Sequence, residues 1–459
     1  LEQITKPHCG ARLDRLPDCR WHSSMFAIGA FGLLVCWSNA VGGLILAQLK
    51  ALGWTDNSTT ATFSAITTAG MFLGALVGGI IGDKTGRRNA FILYEAIHIA
   101  SMVVGAFSPN MDFLIACRFV MGVGLGALLV TLFAGFTEYM PGRNRGTWSS
   151  RVSFIGNWSY PLCSLIAMGL TPLISAEWNW RVQLLIPAIL SLIATALAWR
   201  YFPESPRWLE SRGRYQEAEK VMRSIEEGVI RQTGKPLPPV VIADDGKAPQ
   251  AVPYSALLTG VLLKRVILGS CVLIAMNVVQ YTLINWLPTI FMTQGINLKD
   301  SIVLNTMSMF GAPFGIFIAM LVMDKIPRKT MGVGLLILIA VLGYIYSLQT
   351  SMLLITLIGF FLITFVYMYV CYASAVYVPE IWPTEAKLRG SGLANAVGRI
   401  SGIAAPYAVA VLLSSYGVTG VFILLGAVSI IVAIAIATIG IETKGVSVES
   451  LSIDAVANK

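Results

Sequence analysis

A glutamate and a histidine three residues apart, Glu95 and His98, stand inside an otherwise apolar stretch. At helical spacing they share one face, where a carboxyl and an imidazole can carry a proton or pass it on. The same spacing also suits a local pair that satisfies itself against a neighbouring helix. Two arginines, Arg118 and Arg399, and an amide, Asn39, lie in other apolar stretches. An ionisable group out of water is expensive and persists where it binds, relays or braces. Arg399 reads as an anion ligand or as a helix–helix brace, and both remain open. Asn277, Gln280, Tyr281 and Asn285 punctuate one apolar run, Tyr367, Tyr369 and Tyr372 a second, and Asn157 and Trp158 a third. Amides and phenols give paired donors and acceptors to hydroxyls or carboxylates, and aromatic faces stack on a ring. Tyrosines in such runs also serve as packing residues. Such a set suits a small polar solute. The chain has no phosphate loop with GKS or GKT, no metal-ligand cluster and no nucleophilic triad, so no cofactor and no metal are expected.

These groups need elements to hold them, and composition says which. Of 459 residues, 56% are hydrophobic and only 12% charged. A soluble domain carries about 25% charged residues, so much of this exterior must face lipid. Runs long enough to cross about 30 Å of hydrocarbon recur along the chain. They predict helices at 24–48, 60–82, 90–107, 112–136, 149–172 and 182–202. A second set is predicted at 264–287, 301–323, 331–348, 352–378, 391–413 and 419–440. The fold class is thus an all-α membrane protein of twelve transmembrane helices in two six-helix bundles. Of 33 Lys and Arg, Lys50, Arg181 and Lys299 fall on one side, and Arg118 and Arg399 lie within helices. The rest share a side with both termini, which places the termini in the cytoplasm and requires an even number of spans. This excess accounts for the net charge of +9 without nucleic acid. Residues 1–23 read as an uncleaved basic tail. Seven scattered cysteines without a CxxC read as thiols, not as a disulfide frame or a zinc site. Gly74 and Gly78, and the run Gly122, Gly124 and Gly126, suit close helix packing.

The domain organisation follows. A bundle at 24–202 and another at 263–441 flank a polar linker at 203–262, and a tail follows at 442–459. In the linker, Tyr215, Ala218, Met222, Ile225 and Val229 recur at helical spacing, with Glu219–Arg223 and Glu227–Arg231 pairs on the other face. The two bundles repeat their punctuation. Asp83-Lys84-Thr85-Gly86-Arg87-Arg88 returns as Asp324-Lys325-Ile326-Pro327-Arg328-Lys329. Glu138 with Arg145 returns as Glu380 with Arg389, and Glu204 returns as Glu442. Repetition of this kind implies two related bodies with a binding site at their interface.

The loop Gly79-x-x-x-Asp83-Lys84-x-Gly86-Arg87-Arg88 resembles the signature of the major facilitator superfamily. Pro203-Glu204-Ser205-Pro206-Arg207-Trp208-Leu209 is similar to the mark that sugar porters carry after their sixth helix. With Glu380-Ile381-Trp382-Pro383-Thr384 and Glu442-Thr443-Lys444-Gly445 in register, the resemblance covers nearly the whole chain. It extends to metabolite transport proteins of enteric bacteria within the sugar-porter group. It implies a secondary active transporter moving a small polar metabolite, sugar-like or a sugar or organic acid, by alternating access. The expected setting is a bacterial inner membrane, with the chain as a monomer in the bilayer. Asp83, Arg87, Arg88, Glu138, Arg145, Glu204, Arg207, Asp324, Arg328, Glu380, Arg389 and Glu442 become gating residues, since carboxylates and guanidiniums there can bridge helix ends.

The resemblance also places helices 1, 4, 7 and 10 around the cavity and implies proton coupling by an acid on helix 1 and an arginine on helix 4. Arg118 matches the arginine, but Asn39 stands where the acid is sought, and an amide carries no proton. A facilitator or exchanger without proton coupling, a drug-type exporter and a sensor on this scaffold therefore stay as alternatives. Gln280 and Asn285 keep a sugar-porter spacing on helix 7 without its doubled Gln and its Gly, where Val279 and Leu283 stand.

Overall fold

The computed structural model describes residues 7–17, 19–33, 36–139, 151, 154–240, 253–323, 325–382 and 386–443, a few of them by backbone alone. Among them the only regular structure is helical. Lipid offers no partner to a backbone N–H, so each crossing segment must close its hydrogen bonds on itself. Nine described helices are long and apolar enough to cross a membrane, from Asn57–Gly82 to Arg389–Ile439. Together they cover the predicted second, third, fourth, sixth and all six later spans. The last is two spans joined, because Gly417 turns the chain at φ 65° and ψ −159°, between the predicted 391–413 and 419–440. Of the first span the helices Arg20–Leu33 and Trp37–Ala51 are described, and of the fifth Ser159–Leu170. The tenth span ends in a π-helical turn, Tyr372–Tyr377, just before Pro379.

The described chain forms two compact units. The first comprises Leu1–Asn39, Gly70–Ser159 and Leu184–Gly246. Its helices approach at glycines: a Cβ on Gly74 would strike the Val123 backbone, and one on Gly126 the Met71 backbone. Gly78 meets Ala127 in the same way. The expected small-residue packing is therefore present.

The linker helix, Tyr215–Thr233, buries Ala218, Met222, Ile225 and Val229. Glu219 and Arg223 pair at 2.6 Å, and Glu227 and Arg231 at 3.6 Å. Its apolar face is covered by the N-terminal tail. A short helix, Cys9–Asp14, sets Cys9 and Leu13, followed by Leu16, against Trp208, Leu209 and the linker-helix residues. Arg12 pairs with Glu219 and, at 2.7 Å, with Glu226, while Arg15 meets Glu226 at 2.7 Å. Burial opposes ionisation of Glu226, but Arg12 and then Arg15 outweigh it and hold the carboxyl below its usual range. Burial, reinforced by Glu210, pushes the Cys9 thiol up to about 12, so it stays protonated. All seven cysteines are free.

The second unit comprises Ala40–Ala69, Tyr160–Gln183 and Lys247–Lys459. Within it, segments of the first, second and fifth spans pack on spans of the second repeat. Gly43 lies so near the Ile284 and Asn285 carbonyls that a Cβ there has no room. Asn57 Nδ2 donates to Ser414 Oγ at 3.0 Å, and Asn305 Nδ2 to Ser164 Oγ at 3.0 Å. Asp56 accepts from the Thr59 N–H at 2.7 Å and caps the second span.

Glu226→Ala leaves Arg12 and Arg15 without their shared acceptor. Trypsin cleavage after these arginines is expected to quicken about tenfold, equivalent to about 1.4 kcal/mol of undocking. An unchanged cleavage rate would show that apolar packing alone holds the tail. Because the folded value of Glu226 is depressed, this stabilisation is present above the ordinary glutamate range and is lost as pH falls through the depressed value.

Candidate functional site

The first turn of a helix leaves N–H groups without intrahelical acceptors. At Arg87–Ala106 the residue before the helix is Gly86, which has no side chain to cap it and holds φ 99°. Glu204, from the loop after the sixth span, supplies the acceptor: its Oε1 takes the Arg87 N–H at 2.8 Å and the Arg88 N–H at 3.3 Å. A Cβ on Gly86 would collide with that carboxylate, so glycine is required twice over. The second repeat builds the same joint. Glu442 takes the Arg328 N–H at 2.8 Å and the Lys329 N–H at 3.1 Å, with Pro327 in place of the glycine. A carboxylate also complements the positive end of each helix dipole.

The remaining charged residues expected at helix ends divide. Arg328 grips Glu380 through Nε at 3.0 Å and Nη2 at 3.2 Å, and Thr443 Oγ1 donates to the same carboxylate at 2.6 Å. Arg88 donates to the Trp199 carbonyl at 2.5 Å. Arg207 turns instead to the tail, reaching Asp14 at 3.0 Å. Arg389 lies over the Tyr254 ring at 5.2 Å. Each of these contacts stays within one unit. Arg145, Asp324 and the side chains of Asp83 and Glu138 lie outside the described residues.

Inside the first unit the buried polar residues converge. Glu95 and His98 are fully buried, with Oε2 and Nδ1 3.9 Å apart. His98 Nε2 lies 2.9 Å from Ser38 Oγ, and Nδ1 lies 3.2 Å from Ser191 Oγ. Arg118 Nη1 donates to the Ser38 carbonyl at 2.8 Å. The helices of spans one, three, four and six each contribute a group. The Ser191 hydroxyl, 3.2 Å from His98 Nδ1, also stands beside the Glu95 carboxyl, so serine, imidazole and carboxyl form one cluster. Asn39 is buried next to Ser38. Ser38 and Ser191 carried no sequence signal, because serine in an apolar helix ordinarily bonds its own backbone. Asn157 and Trp158 belong to this unit and are half-buried.

In the second unit, Asn277, Gln280, Tyr281 and Asn285 lie on the Gly260–Thr293 helix. Asn277 Nδ2 donates to the Leu273 carbonyl at 2.7 Å and abuts Gly398, while the Tyr281 ring rests against Gly402. These glycines flank Arg399 on the eleventh span. Asn285 is buried where Gly43 passes, and Gln280 is half-buried. Tyr367, Tyr369 and Tyr372 are fully enclosed by protein. Tyr369 donates to the Val272 carbonyl at 3.1 Å, Tyr372 stacks on Tyr377 at 5.0 Å, and Tyr367 meets Tyr160 at 5.4 Å. The half-buried residues Gln280, Tyr281 and Arg399 are the ones with surface left to offer.

Comparison with known proteins adds to this geometry. The family model described as Major Facilitator Superfamily matches residues 26–406. The inner membrane metabolite transport protein YdjE of Escherichia coli is 44% identical over 446 residues, spanning 96% of this chain and 98% of that one. The niacin transporter NiaP of Acinetobacter baylyi is 25% identical over 96% of this chain and 99% of its own. In fold, the xylose transporter XylE from E. coli in a partially occluded inward-open conformation aligns with TM-score 0.74. It is 18% identical, covering 93% of this chain and all of that one.

Glu204→Ala strips the Arg87–Ala106 helix of its acceptor. Loss of a helix cap costs about 1–2 kcal/mol, so the thermal midpoint in detergent should fall, and Glu442→Ala should match it in the second repeat. Midpoints equal to wild type would mean that water replaces both carboxylates without loss.

Proposed function

The chain belongs to the Major Facilitator Superfamily and is a multi-pass membrane transporter of metabolites, not an enzyme; from that premise we propose that it carries a small polar solute, sugar-like or a sugar or organic acid, by proton-coupled alternating access. The setting is a bacterial inner membrane. Both termini and the linker lie in the cytoplasm, as the distribution of Lys and Arg supports. The repeat of two bundles, at 24–202 and 263–441, supplies the moving bodies. Proteins of this kind include one named for niacin and one for xylose, so acids and sugars both fall in range.

The observation that carries the coupling is the enclosed Glu95–His98 pair, 3.9 Å apart and joined through Ser38 to Arg118. Asn39 removes the acid expected on the first helix, and Glu95 takes over its task. The gating residues hold each bundle's ends together and let it move as one body. Their joints, Glu204 with Arg87 and Glu442 with Arg328, lie within a unit. Within the second unit the solute is held by the half-buried Gln280 and Tyr281 of the seventh span. A facilitator without coupling is the second reading, favoured by Asn39. The amide-rich seventh span disfavours a hydrophobic drug as cargo.

A thermal-shift screen of sugars, sugar acids and aromatic acids would supply the test solute. In proteoliposomes, Glu95→Gln should abolish accumulation driven by a pH gradient while leaving counterflow of that solute within about twofold of wild type. Accumulation by Glu95→Gln at the wild-type level would remove Glu95 from the coupling path and favour the facilitator.

A further inference from the structure

Arg399 is the only charged residue in the middle of the last six predicted spans, the buried Arg265 lying near the start of the seventh. Lys264 and Arg265 enter the seventh at its end, Asp300 precedes the eighth and Glu380 follows the tenth. Arg399 lies eight residues inside the predicted 391–413 helix, about 12 Å deep at 1.5 Å per residue. The first six spans differ, because there Arg118 shares the interior with Glu95. A lone guanidinium at such depth needs a counter-charge. The described protein gives it none: Nη1 is buried without a hydrogen-bond partner, and no described carboxylate pairs with it.

The helix around it has two exposed faces of different character. Ile400, Tyr407 and Val411 form an apolar stripe suited to lipid. Gly392, Asn395 and Arg399 share another face, with Gly392 and Asn395 exposed and Arg399 half-buried. Farther along that same face, Pro406 and Ala410 are buried. The polar face is thus open as far as the guanidinium and closed one to two turns beyond it. Gly398 and Gly402, on the adjacent flank, pack against Asn277 and Tyr281, so an amide and a phenol stand at the level of the guanidinium.

We infer that the transported solute is an anion with a carboxylate, and that Arg399 is the residue that recognises it. A guanidinium fork takes a planar carboxylate through two parallel hydrogen bonds, which an uncharged polyol does not replace. A helix–helix brace would engage the Nη1 that is left without a partner. The inference rests on the proposed transport function and narrows its substrate class.

The test uses purified full-length protein and matched pairs of probes: glucuronate against glucose, gluconate against sorbitol, and benzoate against benzamide. At least one acid is expected to bind tenfold or more tightly than its neutral partner, and Arg399→Gln should erase that preference without changing the neutral partner's affinity. Arg399→Lys should restore part of it, since an ammonium keeps the charge but not the fork. Acids binding no better than neutral partners to wild-type protein overturn the inference, and that measurement needs no variant to fold. So does acid preference that survives in Arg399→Gln. Counterflow of a neutral probe without acid binding would sink the inference and leave transport standing. Acids that bind through Arg399 yet never cross in counterflow would sink transport and leave the site.

Discussion

Both repeats depend on one joint: a carboxylate from the loop after the last span of a bundle accepts N–H groups at the start of its third. Glu204 does this for Arg87 and Arg88, and Glu442 does it for Arg328 and Lys329. The joint answers a requirement that no side chain at the helix start itself meets, since neither Gly86 nor Pro327 can cap. It ties the sixth span to the third and the twelfth to the ninth at the polar edge, where a lipid-facing helix would otherwise fray. Around the second joint, Arg328 adds Glu380 and so brings in the tenth span.

Interior charge is then distributed against this common scaffold, and the halves part company. The first places Glu95, His98 and Arg118 around Ser38, so cation and carboxyl share one buried cluster. The second places Arg399 on a polar helix face without a described acidic partner. The joints are common to both repeats. The interiors differ between the repeats.

Much of the architecture was legible from periodicity and punctuation. Apolar runs gave the spans, and Gly417 broke the last pair between the predicted helices. The spacing of Tyr215, Ala218, Met222, Ile225 and Val229 gave the linker helix, four of whose members are buried. The tail was not legible. Residues 1–23 look like a basic tether, since Arg12 and Arg15 find their acceptors, Glu219 and Glu226, more than 200 positions away. Of the candidate site, Glu95, His98 and Arg118 announced themselves by charge among apolar neighbours. The hydroxyls of Ser38 and Ser191 did not, because a serine's partner is a matter of tertiary geometry. The tyrosines of the tenth span read as possible ligands by type and turned out to be enclosed, with Tyr369 bonded to the Val272 carbonyl. Residue type proposes a donor, but packing decides whether any surface of it remains.

The two interior sets make sense together through electrostatics across the membrane. Moving one elementary charge against the membrane potential costs about 2.3 kcal/mol per 100 mV. Uptake of a lone monoanion into a negatively charged interior would carry that cost in full, whereas a proton travelling with it cancels the charge. A carrier that holds a carboxylate at Arg399 and a proton at Glu95–His98 therefore moves no net charge. The pH gradient then drives it with the potential neither helping nor opposing. A neutral sugar carried with a proton would be electrogenic instead. On the proposed cycle, charge balance links Arg399 in one half to the Glu95–His98 pair in the other.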